Sequence, residues 1–262
     1  MRFRHKEWMR SGTTTITTWS RIVFVAAAMI TAIGCGTKES GTAAGNSDRT
    51  TLQSTDTTAA SATATAPRRA TASATSRRVV LVGTSLTAGL GLDPDRAYPA
   101  LLQRKADSAG FRLTLVNAGL SGETSAGALR RAAWVLDQPA AAVILEVGAN
   151  DGLRGVDPDS TKANLIALIE TIKKAQPNAR VLLLQMEAPT NLGAKYTSRF
   201  HTVYAEVAQA TSTPLLPFLL EGVAGVARLN QADGIHPNEE GARRVAATLW
   251  PSLLPHFTEI NQ

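Results

Sequence analysis

Ser85 closes an apolar run, in Val79-Val80-Leu81-Val82-Gly83-Thr84-Ser85-Leu86-Thr87-Ala88-Gly89. Four apolar residues, three of them β-branched, end on a glycine and give way to small residues, the pattern of a buried parallel strand turning sharply into a helix. A serine there sits at the carboxyl end of a strand, the edge that faces the ligand crevice in open α/β sheets, and the free N–H groups of the helix start can stabilise a developing anion. The chemistry this offers is nucleophilic, which requires a base within hydrogen-bond reach and a third group to orient that base.

Three histidines follow residue 78: His201, His236 and His256. His201 falls inside a helical pattern and His256 in the terminal tail. His236 lies in Ala232-Asp233-Gly234-Ile235-His236-Pro237-Asn238, where Gly234 gives the backbone freedom to bring the Asp233 carboxylate to the imidazole. That contact would hold the ring and stabilise the imidazolium formed on proton transfer. The same residues also make an ordinary turn into a helix capped by Asn238, and spacing alone leaves both readings open. Acyl transfer further needs donors for the tetrahedral oxyanion. Candidates are the backbone N–H of Ser85, the backbone N–H of Gly122 and the side-chain amide of Asn150. Taken singly these read equally as a helix cap, a turn residue and part of a loop; what unites them is a strand's carboxyl end.

The elements that must position these groups alternate. Strand patterns cover 79–82, 112–116, 142–147, 180–185 and 214–218; helical patterns cover 98–109, a stretch ending near 136, 160–175, 197–211 and 238–253. The helix at 160–175 places Leu165, Leu168, Ile169 and Ile172 on one face. Five strands with intervening helices imply an α/β fold, a three-layer α/β/α sandwich around a five-stranded parallel sheet.

Gly83-Thr84-Ser85-Leu86, Gly122 within Ser-Gly-Glu-Thr-Ser, Gly148-Ala149-Asn150-Asp151 and Asp233-Gly234-Ile235-His236-Pro237 resemble, in order, the four blocks of the SGNH (GDSL-type) hydrolases, with the greatest likeness to the bacterial periplasmic thioesterase, arylesterase and lysophospholipase group. The resemblance spans residues 79–255. It implies a flavodoxin-like fold, Ser85 as nucleophile, His236 as general base and acid, Asp233 as its partner, and an oxyanion hole of Ser85, Gly122 and Asn150. It implies a serine esterase that hydrolyses small-molecule or lipid esters and thioesters through an acyl-enzyme, with no metal and no cofactor. Glycan O-acetyl ester hydrolysis and non-catalytic lipid or glycan binding are the alternatives. Leu153, Val156, Pro189 and Tyr196, in or just after loops at the active edge, are expected to frame the acyl pocket. One departure stands out: Thr84 replaces the usual aspartate before the serine. Its hydroxyl can still hydrogen-bond, so an altered rate or loop stability is expected, not loss of catalysis. A nucleotide-binding loop is excluded, because glycines 83, 89 and 91 form neither Gly-x-x-x-x-Gly-Lys-Ser/Thr nor Gly-x-Gly-x-x-Gly. The final glycine of Gly-x-Ser-x-Gly is also missing.

The rest of the 262-residue chain reads as delivery. Residues 1–78 carry 11 Lys and Arg against 4 Asp and Glu, whereas residues 79–262 carry 16 against 17. The basicity belongs to the leading segment, so the pI near 9.8 supports no nucleic-acid partner. A basic stretch, then an apolar run from Ile22 to Ile33, then Ala32-Ile33-Gly34-Cys35 resembles a lipoprotein signal ending at the chain's one cysteine. Residues 1–35 are therefore expected to be a signal, with lipidated Cys35 anchoring an exported, periplasmic or cell-envelope protein. Residues 36–78, dominated by Ser, Thr, Ala and Gly with Leu52 the only large aliphatic residue, are expected to form a disordered spacer too polar to bury a core, and 79–262 the hydrolase domain, a monomer.

Overall fold

The apolar runs assemble into one parallel sheet in the order β2 (Leu113–Gly119), β1 (Arg77–Gly83), β3 (Ala142–Glu146), β4 (Arg180–Gln185), β5 (Leu215–Phe218). Every neighbouring pair is parallel. The computed structural model describes residues 76–262; the expected signal, Cys35 and nearly all of the expected spacer lie outside the described residues. All of β3 is buried, as is Val79 through Gly83 of β1, which is why these strands read as continuous hydrophobic runs and not as alternations. After β1 the chain passes to β2 on one side, then crosses back to β3 on the other. That reversal opens a crevice at the carboxyl ends of β1 and β3, where register sets Gly83 beside both Gly119 and Glu146.

The helices are α1 (Ser85–Ala88), α2 (Tyr98–Ser108), α3 (Ser125–Val135), α4 (Ala149–Arg154), α5 (Pro158–Ala175), α6 (Ala194–Thr211) and α7 (Glu239–Asn261). α2 packs on α7, while α5 packs between α3 and α6, giving the two outer layers. The face of α5 expected from its spacing is the buried one: Leu165, Leu168, Ile169 and Ile172. Its start lies two residues earlier than the pattern indicates, because Pro158 fits the first turn and Asp157 caps it by accepting the Ser160 N–H at 3.0 Å.

Two differences from the sequence reading have clear causes. Asn150 and its neighbours form the short helix α4 and not a loop, bounded by Gly148 at φ 109° and Gly155 at φ 65°. The closing helix does not stop near residue 253; it runs through Pro251 and Pro255 to Asn261, so His256 is helical and not in a tail. An interior proline costs about 3 kcal/mol, but Leu253, Phe257 and Ile260 beyond it are buried, at roughly 1.5–3 kcal/mol each. Phe257 also meets Phe111 and Trp250 at centroid distances of 6.3 and 6.0 Å. Packing outweighs the breaker.

Candidate active site

Ser85, His236 and Asp233 converge at the crevice. The Ser85 hydroxyl lies 2.8 Å from His236 Nε2, and His236 Nδ1 lies 2.6 Å from Asp233 Oδ2. The other Asp233 oxygen accepts the backbone N–H groups of Ile235 and His236 at 2.9 and 3.0 Å. One carboxylate thus both folds the turn and orients the ring. The His236 side chain, followed by these two N–H groups, holds the Asp233 carboxyl down to about 2, so it remains an anion facing Nδ1. That leaves Nδ1 as the protonated nitrogen and Nε2 free to accept from Ser85.

Ser85 is the first residue of α1, and its surroundings dispose of the neighbouring N–H groups. Thr84 N–H and Thr87 N–H both point to Glu146 Oε2, at 2.7 and 3.3 Å, and Leu86 N–H reaches the Thr84 hydroxyl at 3.4 Å. The Ser85 N–H has no acceptor among the described residues. Glu146, at 1% exposure, also accepts the hydroxyls of Thr84 (2.9 Å) and Thr87 (2.8 Å), and Thr87 in turn meets the Tyr98 hydroxyl at 2.7 Å. Burial pushes the Glu146 carboxyl up to about 7 against the pull of these donors. The close approach requires Gly83, where a Cβ would come within 2.6 Å of the carboxylate. Sequence reasoning passed over Glu146. Its signal was a lone acid in the apolar run Ile-Leu-Glu-Val, where an unpaired charge is not tolerated.

Gly122, at φ 79°, presents a backbone N–H without an acceptor among the described residues, while its carbonyl accepts from Arg154 at 3.0 Å. The Asn150 amide donates one hydrogen to Glu123 O at 3.0 Å, which fixes the group and leaves a second hydrogen. Asp151, also unremarked in the sequence beyond its motif, ties α4 to the start of α3 through Ser125 N–H and Oγ at 2.8 and 2.5 Å. Tyr204 donates to Val147 O at 2.9 Å from α6. The strand end carrying Asn150 is therefore braced from two helices.

The expected acyl-pocket residues are placed unevenly. Leu153 is 42% exposed, and Val156, Pro189 and Tyr196 are half-buried. Tyr196 spends its hydroxyl on Val156 O at 2.7 Å and stacks on Phe200 at 6.0 Å, so it acts as a strut between α6 and the loop after α4. The 188–192 segment closes on α4 and the loop after it, with Ala188 facing Gly152 and Leu192 facing Gly155. The other two histidines stand apart: His201 pairs with Glu187 at 2.6 Å on the surface, and burial pushes His256 down. Among the described residues no acidic, histidine or cysteine cluster is arranged to hold a metal. No helix there is long and apolar enough to cross a membrane.

Residues 81–244 match the model of the GDSL-like Lipase/Acylhydrolase family. The esterase TesA of Pseudomonas aeruginosa is 41% identical over 181 residues, 69% of this chain and 89% of that protein. The thioesterase 1/protease 1/lysophospholipase L1 of Escherichia coli K12 is 37% identical over 178 residues, 68% of this chain and 83% of that protein. The solved esterase EstA from Pseudoalteromonas sp. superposes with a TM-score of 0.66 at 33% identity, covering 70% of this chain and 99% of that one. The chain belongs to the GDSL-like lipase/acylhydrolase family and is a carboxylic ester hydrolase.

Proposed function

We propose that this protein hydrolyses carboxylic esters and thioesters through an acyl-enzyme on Ser85, and the observation that carries the reading is the unbroken contact from Asp233 through His236 to the Ser85 hydroxyl. His236 Nε2 takes the hydroxyl proton as Ser85 Oγ bonds to the acyl carbon. The carbonyl oxygen becomes an oxyanion held by Ser85 N–H, Gly122 N–H and the Asn150 amide. Collapse breaks the bond to the alcohol or thiol, which leaves with the proton from His236. Water then gives a proton to the same nitrogen, attacks the acyl carbon and releases the acid, and Ser85 regains its proton.

Leu153, Val156 and the 189–196 segment are assigned to the acyl side. Their position in or just after the segments that leave the carboxyl ends of β3 and β4 supports this. Cys35 is assigned as a lipidated anchor of an exported protein, since several acyl chains suffice for stable attachment. Turnover of a chromogenic short-chain ester that persists in S85A would remove the mechanism. Membrane retention of C35S through carbonate and high-salt washes would remove the anchor.

A further inference from the structure

Four backbone N–H groups crowd the turn from β1 into α1, and only one faces no acceptor. Glu146 takes those of Thr84 and Thr87, on either side of the nucleophile, from the end of the adjacent strand β3. Its two oxygens also accept both threonine hydroxyls. Charge-assisted bonds of this kind are shorter and stronger than neutral ones, and a four-residue helix has little cooperativity of its own to hold a geometry. We propose that Glu146 is a positioning residue for the reaction: by gripping Thr84 N–H and Thr87 N–H it fixes the first turn of α1, so that Ser85 N–H alone is left for the oxyanion and Ser85 Oγ stays in reach of His236. The inference rests on the esterase reading of Ser85.

The side chains that contact Glu146 carry no charge. Tyr98 of α2 reaches it through Thr87, and burial holds both Tyr98 and Tyr204 of α6 above the usual phenol range. Arg131 of α3 stops at Gly83 O, 3.5 Å away, and is engaged with Glu123. No cation bonds to the carboxylate, so its grip depends on its own ionisation, and the acid limb of the kcat profile contains a Glu146 proton.

The test compares full-length wild type, E146Q, E146L and S85A. With a chromogenic short-chain ester, E146Q keeps KM within about twofold, loses about tenfold in kcat, and has an acid limb shallower by one proton. By NMR, the Thr84 and Thr87 amides exchange slowly in wild type and faster in E146Q. E146L shows a larger kcat loss; should it fail to fold, E146Q decides. Wild-type kcat and acid limb in E146Q, or equal amide protection in both proteins, overturns the positioning role whatever the activity level. An inert wild type with slow Thr84 and Thr87 exchange overturns the esterase reading instead.

Discussion

The Thr84 hydroxyl donates to Glu146 at 2.9 Å while its backbone N–H donates to the same carboxylate at 2.7 Å. The residue that departs from the Gly-Asp-Ser-Leu pattern is thus a double donor to a buried acid. An aspartate at this position would bring a second carboxylate into a site where burial already disfavours one charge, and two such groups must share a proton. T84D is expected to destabilise the protein by about 1–3 kcal/mol at pH 8 and less at pH 5.5, where one group is protonated; T84S, which keeps the donor, is expected to melt within a few degrees of wild type. Thermal melts at the two pH values check this, and a T84D protein no less stable at pH 8 refutes it.

Glu146 gives stability a pH slope of definite sign. Its folded value of about 7 lies above the ordinary 4.5, so the folded state binds the proton more tightly than the unfolded state. Its contribution is full below about pH 4.5 and is lost as pH rises through about 7, on the order of 3 kcal/mol at the limit. The form that grips the Ser85 turn most strongly is therefore the less stable one. Denaturant titrations between pH 4.5 and 8 should show this slope in wild type and not in E146Q, so that the difference between the two proteins carries it.

How legible the molecule was in its sequence depends on how far the decisive interactions reach. The parallel sheet and its layers followed from runs such as 142–147 and Ser85 from its place at a strand end, whereas Asp233 and His236, in a turn that spacing alone left open, followed from the resemblance of the ordered motif blocks. Glu146 was invisible as a functional group because its four donors lie about sixty residues away, and only the β1–β3 register brings them together. The last turns of α7 were invisible for the opposite reason: Pro251 and Pro255 are strong local stop signals, and the Phe111–Trp250–Phe257 contacts that overrule them are tertiary. Tyr196 was expected to frame the acyl pocket, but the direction of its hydroxyl toward Val156 O was not a property of spacing.

Those tertiary contacts make a stability prediction. Phe257 is fully buried, and its ring holds the segment of α7 that lies beyond two interior prolines. F257A is expected to cost about 3–5 kcal/mol, with the ester kcat of the remaining folded protein unchanged because no active-site residue lies on that segment. Denaturant unfolding beside single-temperature kinetics checks both halves.

Asp233 separates orientation from loop building. In D233N the oxygen that accepts Ile235 and His236 N–H can stay in place, so the turn should survive. The amide, however, turns a donor toward Nδ1, which moves the ring proton to Nε2 and removes the acceptor for Ser85. A kcat loss on the order of 10³-fold or more follows, with KM and melting temperature near wild type.

Asn150 tests the oxyanion assignment from the other strand. Its amide is aimed by Glu123 O and sits at 9% exposure at the start of α4, a position built by β3 and braced through Asp151 and Tyr204. Removing one oxyanion donor costs about 3 kcal/mol, or roughly 10²-fold in kcat. Because the interaction strengthens only as charge develops on the carbonyl oxygen, the loss should fall on kcat and leave KM nearly constant. N150A should also label more slowly with an organophosphonate, whose phosphoryl oxygen occupies the oxyanion position. A variant that loses KM in place of kcat, or labels at the wild-type rate, would assign Asn150 to substrate binding or to bracing of the loop, and remove it from the oxyanion hole.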